Sequence, residues 1–299
     1  MKKSTIFSLF LFFSALQAAL GQSGWTQPQG AGFFKASQGM IRAGSFFNPE
    51  GEVISITTAS VYISSLYGEY GINDRLTALL DAPLFVRSTI NNLESRADGF
   101  VIPGDEFNGL GDIGLGLQYG IVQGRKIVLA ASGRVKLPTG ESVGGKSELL
   151  QSGDGAWGFT GMLHASHSFY PRPFYASLSA GYQWRGTARL AYRTGTETAD
   201  YDDALRWNGE IGWAPAGSPW RLALKLDQVA ALENGTGGAL AGGSSIFGNR
   251  ISFLAITPEL SYILDNGWGM SASVGTVAAA KNILAAPLFN LGVVYVLKQ

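Results

Sequence analysis

The chain has 299 residues, with 22 Lys+Arg against 22 Asp+Glu, 41 Gly, 11 Pro and no Cys. Without cysteine there is no disulfide framework and no thiolate metal site, and two histidines offer little for an imidazole one, so no catalytic, metal or cofactor cluster is expected. A hydrophobic share of 46% excludes an unstructured chain, and a formal charge of zero gives no basic face for nucleic acid.

The first element is a leader. Lys2 and Lys3 precede an apolar stretch from Ile6 to Leu16, and the small residues Ala19 and Gly21 follow, which predicts an export signal over residues 1–21 cleaved before Gln22. Beyond it there is no run of 18 apolar residues, so no membrane-spanning helix is expected; strands are a separate matter.

Residues 22–299 carry a period of two. It is cleanest from Leu110 to Ile121, where Ile113, Leu115, Leu117, Tyr119 and Ile121 alternate with Asp112, Gly114, Gly116, Gln118 and Gly120. The pleat sends the first set to lipid and the second to the inside. Segmenting by turn residues predicts twelve strands, near 33–46, 54–70, 74–88, 110–122, 125–138, 154–170, 173–189, 203–214, 219–231, 249–264, 267–279 and 287–298. Short turns such as Gly71 to Asp74, Gln123-Gly124 and Asp265 to Gly267 alternate with long connections such as 89–109 and 232–248. That sorting is the plan of an outer-membrane barrel, with short turns and termini periplasmic and long loops outside. The reading is all-β: one transmembrane antiparallel barrel of about twelve strands. Trp157, Tyr182, Trp184, Trp207, Trp213, Trp220 and Trp268 fall near strand ends on the apolar face, where lipid–water interfaces favour them.

Three motifs need weighing. Gly109 to Gly114 spells G-x-G-x-x-G, and Gly140 to Ser147 spells G-x-x-x-x-G-K-S, but both need a following helix to hold phosphate and neither has one. The His164-Ala165-Ser166 element resembles the His-x-Ser step of outer membrane phospholipase A. Alternation turns His164 and Ser166 inward, away from lipid, so an enzyme is not expected.

The inward polar row comprises Arg75, Asp81, Arg87, Asp112, Lys126, Arg134, Lys136, His164, Arg206, Glu210, Arg221, Lys225, Asp227 and Glu259. These residues line a pore, or they pair across the lumen and fill it. For twelve strands the backbone diameter is roughly 24 Å, which leaves a bore on the order of 10 Å or none.

Four stretches carry a resemblance: Tyr70-Gly71-Ile72-Asn73-Asp74-Arg75-Leu76, Gly109 to Leu115, Leu137-Pro138-Thr139-Gly140 and Gly153-Asp154-Gly155. In that order and spacing, across about residues 53 to 298, the chain resembles the outer-membrane barrels of the MetA-pathway phenol-degradation family, described as transporters. Two features depart from barrels of this kind. The chain ends Leu297-Lys298-Gln299 without a terminal aromatic, and about ten residues, Gln22 to Gly32, precede the first strand, too few for a plug domain. The resemblance implies an outer-membrane channel or transporter for passive uptake of small, aromatic or hydrophobic solutes. Its partners would be outer-membrane lipid, a small-molecule solute and the barrel assembly machinery. The alternative is a structural or surface-recognition barrel with an occluded lumen.

Overall fold

The computed structural model describes residues 23–94, 101–237 and 246–298. The predicted leader, residues 1–21, lies outside them. Twelve antiparallel strands close on themselves: β1 Gly32–Phe47, β2 Val53–Asn73, β3 Leu76–Ile90, β4 Ile113–Val122, β5 Ile127–Leu137, β6 Gly158–Ser168, β7 Phe174–Arg185, β8 Ala204–Trp213, β9 Trp220–Ala231, β10 Ser252–Ile263, β11 Trp268–Lys281 and β12 Leu288–Leu297. Each pairs with its chain neighbours, and β1 pairs with both β2 and β12, which leaves no free edge. No described residue is helical, so neither glycine motif has the helix that phosphate binding needs.

One end carries the tight connections 74–75, 123–126, 169–173, 214–219 and 264–267; the other carries 91–112, 138–157, 186–203 and 232–251. The alternation is uneven. At this second end the connections 48–52 and 282–287 are as short as the turns opposite, so the long loops rise only from β3 round to β10.

The pleat follows the sequence. On β4, Leu115, Leu117, Tyr119 and Ile121 are exposed on the outer surface, while Gly114, Gln118 and Gly120 are buried inside. Outward aromatic residues gather at two levels. Trp220 stacks edge-on to Tyr262 at 4.7 Å, and Trp268 packs on Tyr295 at 4.8 Å, near the tight turns; Trp157, Phe159 and Trp184 ring the loop end. Two girdles separated by aliphatic residues match the interfaces of a bilayer.

Bulges break the parity where the alternation itself shows no sign of it. On β3 the register slips between Ser64 and Ser65 of its partner, leaving Leu84 unpaired between Pro83 and Phe85. Below this bulge Thr77, Leu79 and Asp81 face inward; above it Val86 and Ser88 do, and Arg87 is turned out.

Candidate functional site: a barrel interior closed at both ends

Of the residues predicted to line the lumen, eleven are inside, Arg221 among them on β9, and three are not. Arg75 and Lys126 sit exposed in tight turns, one residue before β3 and β5 begin, because the predicted strands start two residues too early. Arg87 lies on the outer side above the β3 bulge and pairs with Glu106 at 2.5 Å, both side chains being exposed. Asp81, Asp112, Arg134, Lys136, His164 and Arg206 line one cavity, and Glu210, Lys225, Asp227 and Glu259 line a second.

At the tight-turn end residues 23–31 fold back into the mouth of the barrel. Trp25 is buried against Val128, Tyr175 and Ala214, edge-on to the Tyr175 ring at 6.2 Å. An extended segment crossing the lumen has no ladder, so its backbone groups must find side-chain partners. Gln118 Nε2 donates to the carbonyls of Ser23 and Trp25, Gln123 donates to that of Gly24, and the Gly24 and Gln27 amides donate to Ser166 Oγ and Thr77 Oγ1. Gln27 Nε2 donates to Glu69, and Thr26 and Gln29 bond Asp74. The segment then passes directly over Gly71, exchanging hydrogen bonds with it at 2.9 Å through Gly30 and Ala31. A Cβ on Gly71 would lie 1.9 Å from the Pro28 carbonyl, so only glycine permits this approach. A plug domain was excluded on length, yet nine residues suffice to cover the mouth.

At the loop end three of the four resemblance stretches meet on one carboxylate. Asp112 accepts from the Gly140 amide through Oδ1 and from the Asp154 amide through Oδ2, both at 2.9 Å, and Thr139 Oγ1 donates to the Gly111 carbonyl. A Cβ on Gly153 would strike the Asp112 carboxylate at 2.8 Å, and one on Gly140 would strike Gly153 at 2.7 Å. Asp154 in turn is bonded by Lys136 and by Arg185 at 3.0 Å, and the Arg185 guanidinium lies over the Tyr201 ring. Burial, with Asp154 beside it, pushes the Asp112 carboxyl up to about 6. Burial acts on Asp154 in the same sense, but Lys136 and Arg185 overcome it and hold that carboxyl down to about 2. Ala156, Ala188, Leu190, Ala199 and Tyr201 pack above this clamp, and Arg250 bonds the buried Asp202, so the loops form a cap.

Between plug and cap the interior stays hollow. A cavity of about 230 Å³ lies among Phe33, Lys35, Tyr67, Glu210, Lys225 and Glu259. Glu259 bridges Lys35 at 2.9 Å and Lys225 at 3.0 Å, a chain of charge spanning β1, β9 and β10. A second cavity of about 220 Å³ lies against β3 to β8, where His164 is held by Ser132 and Ser179 at 2.8 and 2.7 Å. Toward the loop end the inner wall of β1–β3 is apolar instead: Ile41, Ala43, Phe46, Val61 and Val86 cluster with Leu284, and Ile246 and Phe247 pack onto them from a loop.

The sequence matches the family described as "Putative MetA-pathway of phenol degradation" over residues 43–290. The chain belongs to that family. Gly71, Gly140, Gly153 and Asp112 are points where residues 23–31 and the loops touch the barrel. No curated protein matches the sequence. Among solved structures the fold is similar to the COG4313 outer membrane channel from Pseudomonas putida F1, at 16% identity and a TM-score of 0.63, covering 93% of this chain and 99% of that one. It is also similar to the NanC porin, at 11% identity and a TM-score of 0.53, covering 88% and 98%. At these identities the likeness is one of fold: a porin-like outer-membrane barrel.

Sequence reasoning missed Lys35, Tyr67, Glu69, Asn208, Asp154 and Arg185. Lys35 and Glu69 stood in strands correctly predicted, and alternation would have turned both inward. Asp154 and Arg185 stood at strand ends, where no period operates.

Proposed function

We propose that this MetA-pathway barrel is an outer-membrane channel for passive entry of small solutes, with its tight turns periplasmic and its loops outside. The observation that carries the reading is the nature of the closure. A nine-residue stretch of chain crosses one mouth of the bore and loops pack over the other, with cavities between them. Both closures can leave without breaking the barrel ladder. The apolar inner wall of β1–β3 supports aromatic or hydrophobic solutes. Residues 1–21 act as the export leader, residues 22–299 form the mature barrel, and its assembly uses the barrel assembly machinery. Asp81, Arg134, His164, Arg206, Glu210, Lys225, Asp227 and Glu259 line the path, with Asp112 and Lys136 at its outer rim.

The reading is not enzymatic, because His164 and Ser166 serve other partners. His164 is held between Ser132 and Ser179, whereas Ser166 receives the Gly24 amide and donates to Ser177. A structural barrel is the second reading, favoured by the Lys35–Glu259–Lys225 bridge across the interior. Swelling of proteoliposomes in isosmotic arabinose and then benzoate separates the two. Swelling above protein-free liposomes supports a channel; none with either solute, beside a working porin, supports the structural barrel.

A further inference from the structure

The cavity against β3 to β8 holds two guanidiniums that the protein leaves largely unused. Arg134, on β5, has one acidic neighbour, Asp81, at 3.6 Å, which is an ion contact and longer than a hydrogen bond. Arg206, on β8, makes one long bond to Gln183 Oε1 at 3.4 Å, and no described carboxylate lies within 4.0 Å of it. The charges that reach Arg206 electrostatically are Asp227, Arg134, Asp81 and Arg185, so the two arginines face each other's field in one chamber. Five N–H donors on each guanidinium make a donor set of a kind that recognises carboxylates in pairs.

The local ion pairing points the same way. Lys136 and Arg185 are taken by Asp154 and Asp112, a closed group of two cations and two anions. What remains on this wall is Arg134 and Arg206, with Asp81 and, from the adjoining cavity, Asp227 as the acids whose charge reaches them without a close ion pair to Arg206. The adjoining cavity holds Lys35 and Lys225 with Glu210, Asp227 and Glu259, and there Asp227 is tied to Asn208. Glycine lets the Arg134 side chain lie close to the wall, since Gly114 and Gly116 underlie it, and Gly181 is the register partner of Arg206. The other polar groups lining the chamber, Gln118, Ser132, Thr160, His164 and Gln183, are neutral or able to be so.

We propose that Arg134 and Arg206 form a binding site for the carboxylate of a small organic monocarboxylate, with its carbon skeleton against Leu79 and Met162, the apolar lining of the same cavity. The proposal rests on the channel reading for its physiological meaning, but the site is testable without transport. Charge-assisted bonds to a carboxylate replace the donors' solvation.

The test is equilibrium dialysis of labelled benzoate and of labelled benzyl alcohol, which share a skeleton, against the full chain in nanodiscs, with empty nanodiscs as the blank. Benzoate is expected to bind at least about tenfold tighter than the alcohol. Arg206→Gln and Arg134→Gln should each remove most of that preference and leave the alcohol's affinity unchanged, Arg206→Lys should keep part of it, and outward Arg87→Gln should keep all of it. Equal binding of acid and alcohol by the unaltered protein overturns the site whatever the variants do, as does failure to bind benzoate at millimolar concentration. Acid preference without liposome swelling leaves the site standing and removes the channel; swelling without acid preference does the reverse.

Discussion

Replacing Gly71 by Ala should open the tight-turn mouth without disturbing the wall. Gly71 lies in β2 outside the left-handed region, so its own backbone accepts alanine. The new methyl would stand 1.9 Å from the Pro28 carbonyl oxygen and 2.6 Å from that of Gln27, backbone atoms that no rotamer change can move. Relief requires the segment to retreat by about 1.5 Å, to ordinary contact. The two bonds joining Gly71 to Gly30 and Ala31, each 2.9 Å long, then stretch beyond bonding distance. At about 1 kcal/mol net for each, docking of the segment weakens by about 2 kcal/mol, which raises the undocked fraction roughly thirtyfold. Single-channel recording in planar bilayers should show longer and larger openings than the unaltered protein, with heat-modifiable gel mobility confirming a folded barrel. A folded Gly71→Ala barrel with unchanged conductance refutes the reasoning.

Trp25→Ala should act in the same direction, because the indole's packing on Val128, Tyr175 and Ala214 is lost, and acrylamide quenching should report loss of the one buried tryptophan among the described residues. On the lipid face, Leu117→Arg should destabilise the barrel by about 2 to 4 kcal/mol in urea unfolding from bilayers; a Leu117→Cys thiol should take a lipid-confined probe, and a Gln118→Cys thiol should not. The cap should respond to pH in two windows. Because the Asp112 pKa is raised, its contribution to the cap is fully present below the ordinary carboxylate value of about 4 and is lost as pH rises through about 6. Because the Asp154 pKa is lowered, its contribution is present above that ordinary value and is lost as pH falls toward about 2. Amides in 139–157, corrected for intrinsic rate, should therefore exchange more slowly at pH 5 than at pH 7, and Asp112→Asn should flatten that difference. Glu259→Gln removes the one ion-pair partner of Lys35 among the described residues and leaves Lys225 to Glu210 and Asp227, and should cost about 1 to 3 kcal/mol in the same unfolding assay.

The strands were legible because lipid outside and a polar bore inside force strict alternation, and Ile113 to Ile121 needs nothing else to be placed. Legibility ended where alternation did. Arg87 was misplaced because the unpaired Leu84 shifts the parity of everything after it; Pro83, which removes a ladder donor just before Leu84, is the one local mark of that slip. Arg75 and Lys126 lie one residue before their strands begin, where an exposed turn and an inward strand position read alike. Trp25 and Gln27 precede the first strand in a stretch with no period, held by partners from 42 residues away, at Glu69, to as far along the chain as Ala214, so their docking is a tertiary fact. The resemblance stretches were visible as letters, but their purpose was not: Gly140 and Gly153 matter because both approach Asp112, and Gly71 because Pro28 crosses it.

The central claim is that solutes pass through the lumen when residues 23–31 leave it, and the absence of native cysteine permits a direct test. The side chains of Gln27 and Glu69 meet at 2.8 Å, so Gln27→Cys with Glu69→Cys places two thiols for a short, reducible bis-methanethiosulfonate link. Conductance and benzoate entry should fall to the protein-free level when the link is formed and return in the same preparation when dithiothreitol breaks it. Conductance that persists through the linked protein, with linkage confirmed by mass, contradicts the account.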